Sequence, residues 1–165
     1  MNPETTRLVW NGLCESDRLC RYYGYLAERL EKRGFGLAVA ATALSSTTFA
    51  ALLSPWAGAS RLLAALATIC GVALIAGHHS RKAIKGATIR RRYADLLLEW
   101  EELWSGLSKM EDIAARDRWK ALSNRAIEIT DGAEVELPTD ETLRERSERE
   151  AYEYRLEAHG QPAAT

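Results

Sequence analysis

Residues 34–60 read GFGLAVAATALSSTTFAALLSPWAGAS, and residues 62–80 read LLAALATICGVALIAGHHS. These are 27 and 19 residues without one Asp, Glu, Lys or Arg, and only Arg61 separates them. The remaining sequence carries nearly all the charge, so the near-zero net charge of -1 over 165 residues hides a strong segregation. Segregation of this kind is a membrane signature and predicts two spans, at about 35–54 and 62–80. Phe35, Leu37, Val39, Leu44, Phe49, Leu52 and Leu53 favour insertion of the first run by roughly 2 to 4 kcal/mol, against which its threonines and serines subtract. Between the runs, Pro55 and Gly58 break helix and Trp56 suits an interface, which predicts a tight turn and a helical hairpin.

Outward from the hairpin, the length predicts one domain, or one domain and a tail. Arg18, Arg21, Arg29, Lys32 and Arg33 precede the first run, and Arg81, Lys82, Lys85, Arg90, Arg91 and Arg92 follow the second, against Arg61 in the turn. That asymmetry predicts both termini on the cytoplasmic side. No cleavable leader is expected, because Glu4, Arg7, Glu15, Asp17, Arg18 and Arg21 interrupt the first 30 residues. Cys14, Cys20 and Cys70 lack any metal or redox spacing and are expected as free thiols.

The charged parts read as helices, over about 5–33 and 81–130. In the first, Leu19, Tyr22, Tyr23, Leu26 and Leu30 share one face. In the second, Tyr93, Trp100 and Leu107 fall seven apart and Leu96, Leu103 and Met110 follow each by three, a seam that packs on another helix. Trp104 widens it. Tyr93, Leu96, Trp100, Leu103, Trp104 and Leu107 can serve packing within the chain, contact between subunits, or both. The helix carried by Trp119, Leu122, Ala126 and Ile129 is expected to stop at Thr130-Asp131-Gly132. Residues 133–165 read as a charged linker followed by a solvated helix or a disordered tail.

No catalytic constellation appears, neither a Gly-rich phosphate loop nor a nucleophile elbow, so a non-enzyme is expected, with no cofactor and no metal. Thr42, Ser45 and Ser46 make a small hydroxyl stripe, which suits either close helix packing or a pore lining, with Phe49 and Leu53 as an apolar constriction. The basic residues Arg81, Lys82, Lys85, Arg90, Arg91 and Arg92 suit anionic lipid or, as a ring in an oligomer, an anionic ligand.

An amphipathic helix with Tyr22 and Tyr23, a first apolar run entered through Arg33-Gly34, a broken turn, a second run leaving through Arg81-Lys82, and a long helix with Tyr93, Trp100 and Trp104 together resemble the SLATT family. The resemblance covers about residues 5–130 and rests on architecture. It implies a two-transmembrane effector of bacterial antiphage conflict systems: an oligomeric pore in the inner cell membrane, expected as a homotetramer, gated by a nucleotide or oligonucleotide that a partner nucleotidyltransferase makes, and toxic when open. The expectation is therefore an all-α membrane protein, an oligomeric two-transmembrane hairpin with cytoplasmic helices, its effector domain at 1–132. The alternative is a non-conducting membrane-anchored helical scaffold that recruits a partner.

Overall fold

The computed structural model describes residues 2–52, 57–134 and 137–159, with the side chains at 46–52, 57–61, 74–77 and 132–134 set aside. Helix α1 spans Pro3–Leu52, α2 Ala57–Gly77, α3 His79–Gly106, α4 Asp112–Glu134 and α5 Glu141–His159, with a short 3-10 turn at Leu107–Lys109. The protein is all-helical, and no strand occurs among the described residues.

Local chemistry sets several of these ends. Asn2 caps α1 by accepting the Glu4 amide at 3.0 Å, with Pro3 in the first helical position where its missing N–H costs nothing. Asp140 caps α5 in the same way, accepting from the Leu143 amide and the Thr142 hydroxyl. His78, at φ 43, interrupts the chain between α2 and α3, so the second apolar run does not continue straight into the aromatic helix. The α4 helix passes through the expected stop at Thr130-Asp131-Gly132 and ends at Glu134. There the Thr130 hydroxyl is spent within the helix, donating to the Ala126 carbonyl rather than capping an end.

The expected membrane placement does not hold. Among the described residues, no helix is long and apolar enough to cross a membrane, which overturns the multi-pass location in a bacterial inner membrane with cytoplasmic termini. Freedom from charge is a weaker property than apolarity. Alanine, glycine, serine and threonine make up most of the first run and dilute Phe35, Leu37 and Val39, and Gly77-His78 breaks the helix that carries the second.

The chain divides into two compact units, Met1–Leu26 with Lys85–Thr165, and Ala27–Ile84. Helix α5 belongs to the first of these units, with the N-terminal part of α1. In the first unit α1 and α3 run antiparallel, as Trp10 meets Trp104 with ring centroids 5.1 Å apart while Tyr23 stacks on Tyr93 at 5.9 Å. Helix α4 runs alongside α1, its Arg116 donating to the Thr5 hydroxyl, and α5 returns antiparallel to α1. The core is built on the heptad seam of α3: Ile89, Tyr93, Leu96, Trp100, Leu103 and Leu107 are all buried. Val9, Leu13, Tyr23 and Leu26 of α1 and Ala115, Leu122 and Ile129 of α4 complete it.

The second unit holds the later part of α1 and helix α2. Leu30 is buried there, whereas Phe35, Leu62, Ile69 and Val72 are 71%, 67%, 63% and 59% exposed.

Candidate functional site

Among the residues expected to form a subunit interface, Tyr93, Leu96, Trp100, Leu103 and Leu107 lie in the core of the first unit, and Trp104 is half-buried beside Trp10. With the Thr130 hydroxyl donating to the Ala126 carbonyl, the Tyr93 hydroxyl, 2.5 Å from Thr130 Oγ1 and 3.1 Å from that carbonyl, donates to this pair of acceptors and ties α3 to α4. The indole nitrogen of Trp100 is buried and has no hydrogen-bond partner among the described residues.

The residues of the basic collar are divided between the two units. Arg81 and Lys82 belong to the second unit, Lys85, Arg90, Arg91 and Arg92 to the first. Arg90 lays its side chain across Gly24 of α1, where an added Cβ would stand 3.2 Å from its Cδ, and its carbonyl accepts the Cys20 thiol. Arg91 and Arg92 are exposed and form no ion pair among the described residues.

Of the proposed pore and gate residues, Thr42 and Ser45 are exposed on α1. Each donates its hydroxyl to the carbonyl four residues earlier, at 2.9 Å to Ala38 and 2.7 Å to Ala41. Thr68 of α2 does the same to Ala64 at 2.8 Å. A hydroxyl used in this way presents mainly its methyl or methylene surface outward. The side chains of Ser46 and Phe49, and Leu53 altogether, lie outside the described residues.

The most developed polar arrangement was not expected from the sequence. Helix α5 presents Arg155, only 2% exposed, to two carboxylates. Its Nε donates to Asp17 of α1 at 2.9 Å and its Nη1 to Glu101 of α3 at 2.7 Å. Arg146 and His159 of α5 continue the seam. Arg146 donates to Glu150 at 2.8 Å and stands 4.4 Å over the Tyr25 ring, while the Tyr25 hydroxyl donates to Glu150. The Asp140 amide donates to the Tyr22 hydroxyl at 3.2 Å. At the far end His159 meets Trp10 and Trp104 edge-on, at 6.4 and 6.2 Å between centroids.

These contacts shift the acids and bases involved. The Tyr25 hydrogen bond, followed by Arg146, holds the Glu150 carboxyl below the usual carboxylate range, and the same bond raises the Tyr25 phenol. Burial pushes the Cys14 thiol up to about 11, which leaves it protonated and inert at neutral pH.

Each unit holds a cavity among its described residues. One of about 550 Å³ in the first unit is lined by Glu15, Arg18, Tyr22, Tyr23, Thr130 and Arg144, with Arg18 already clasped by Glu15. The other, about 1010 Å³ and wholly in the second unit, includes Glu31, Lys32, Phe35, His79, Arg81 and Ile84. Among the described residues no group of His, Cys, Asp or Glu is arranged to hold a metal ion.

Comparisons with protein-family models, with curated proteins and with solved structures return no match.

Proposed function

We propose that this protein is a non-catalytic helical scaffold that assembles with copies of itself through the apolar face of the second unit and recruits partners through the first. The observation that carries the reading is the exposure of Phe35, Leu62, Ile69 and Val72 on one small unit, together with hydroxyls at Thr42, Ser45 and Thr68 already satisfied by their own helices. Exposed apolar area of this kind is stabilised by about 25 cal/mol per Å² once covered. A second copy is the occupant best matched. Phe35, Leu62, Ile69 and Val72 are themselves uncharged and meet like residues without repulsion, and at Gly36 and Gly71 a Cβ would find nothing within 4 Å, which leaves room for a neighbouring backbone to approach. A pore depends on helices that cross a membrane, whereas a scaffold needs none.

Light scattering of the purified full-length protein after size exclusion tests this. The wild type is expected as a multimer, and Ile69→Glu with Val72→Glu as a monomer of unchanged helical content. A monomeric wild type at high concentration overturns the proposal.

A further inference from the structure

Helix α5 is held on the first unit by ion pairs, hydrogen bonds and ring contacts, with Leu143 and Leu156 only half-buried. Its buried residues are Ser147, Ala151 and Arg155, spaced four apart along one stripe, and of these only Ala151 contributes an apolar side chain. The large apolar residues of the core all come from α1, α3, α4 and the turn after α3. Removing α5 would therefore take no large apolar side chain out of that core, the property of a segment that opens locally while the rest stays folded. The face it would uncover has a definite chemistry. Asp17 and Glu101 converge from two helices on a single guanidinium, a planar fork whose separate N–H groups can serve both carboxylates at once. Trp10 and Trp104 stand at one end of this groove and Tyr25 at the other. Small residues at the two positions one and two turns before Arg155 let its helix approach closely.

We propose that the groove between α1 and α3 is a docking surface for an arginine-bearing helix of a partner protein, with α5 as its resident occupant, displaced when the partner binds. The helix it selects carries two small residues and then an arginine at four-residue spacing, as Ser147, Ala151 and Arg155 do. A tethered occupant competes at high effective concentration, so the partner must bind more tightly than α5 or arrive when α5 is loosened. The proposal concerns the first unit and does not rest on self-assembly through the second.

The probe is a fluorescent peptide of residues 141–159, added to the full-length protein. The wild type is expected to bind it weakly, and the Arg155→Ala protein, whose own α5 is loosened, at least tenfold more tightly. The peptide bearing the same Arg155→Ala change is expected to bind neither. Should Arg155→Ala fail to fold by circular dichroism, Glu150→Gln loosens the resident helix at the Tyr25 end and the same comparison applies. In the unlabelled wild type, amides of α5 are expected to exchange at least tenfold faster than those of α3. Equal protection of α5 and α3, or peptide binding that is absent from both proteins or equal in both, overturns the proposal. So does light scattering that shows the second unit's Ile69→Glu, Val72→Glu variant dimerising by exchange of α5, because the occupant would then be a second copy.

Discussion

The benzo edge of Trp100 rests on the bare backbone of Gly12: a Cβ at Gly12 would lie 2.5 Å from Cη2, 2.7 Å from Cζ2 and 2.8 Å from Cζ3 of the indole. Alanine is the better helix former by about 1 kcal/mol, yet such a clash in a packed core costs about 1 to 3 kcal/mol, and Trp100 is only 1% exposed, with little room to retreat. Gly12→Ala is expected to lower stability by up to about 2 kcal/mol, read as a lower urea midpoint with unchanged slope. Raised stability would mean that the indole sits elsewhere.

Asp17 and Arg155 are 4% and 2% exposed and pair away from water, Asp17 accepting from Arg21 at 2.9 Å as well as from Arg155. Removing one partner leaves a buried charge, at a typical cost of about 3 to 5 kcal/mol, although Glu101 still holds Arg155 and reduces that. Asp17→Ala is expected to cost about 2 to 3 kcal/mol on that scale, whereas Asp17→Leu combined with Arg155→Met, which deletes both charges, should recover most of it. Chemical denaturation of the single and double variants measures the difference. Equal losses in both would show that the pair contributes nothing through its charges.

The Tyr25–Glu150 contact sets a pH window for α5. The Glu150 carboxyl titrates below its ordinary value, so its contribution is complete above the unfolded value near 4.5 and is lost as pH falls through the lower folded value. The Tyr25 phenol titrates above its ordinary 10, so its contribution is present below 10 and is lost as pH rises through the folded value. Amide resonances of α5 are expected to hold constant between these limits and to move toward free-helix positions on either side. Tyr25→Phe should reduce the acid-side change. An acid transition unaltered in that variant would place its origin in another carboxylate.

The heptad of α3 was legible because its side chains are large and apolar and recur at three and four: Tyr93, Leu96, Trp100, Leu103 and Leu107 are buried as that spacing requires. Its extension to Met110 was not, since Gly106 ends the helix and a 3-10 turn follows. The docking of α5 left almost no apolar signal. A stripe of Ser147, Ala151 and Arg155 has no hydrophobic periodicity, and the partners of Arg155 lie 138 and 54 residues away. Asp140 followed by Thr142 and Leu143 was the readable cue that a helix begins there. On α1 the expected face of Leu19, Tyr22, Tyr23, Leu26 and Leu30 missed Val9, Trp10 and Leu13, which are buried about two to three turns before Leu19. The uncharged runs misled for a different reason, as lack of charge was read as apolarity.

That distinction supports a final prediction about the second unit. Thr42, Ser45 and Thr68 are exposed, and each hydroxyl already donates to the carbonyl one turn back. If an apolar neighbour covers this face, the hydroxyls contribute only their carbon surface to the contact, and removing them deletes no bond between subunits. Thr42→Val, Ser45→Ala and Thr68→Val together are then expected to leave the multimer intact or tighten it, by up to about 1 kcal/mol per subunit from the added apolar area. A face that needed its hydroxyls for water or for a polar partner would behave in the opposite way, with the triple variant dissociating at concentrations where the wild type holds. Sedimentation velocity across a dilution series separates the two, and dissociation of the triple variant with its helices intact would show that the partner surface is polar.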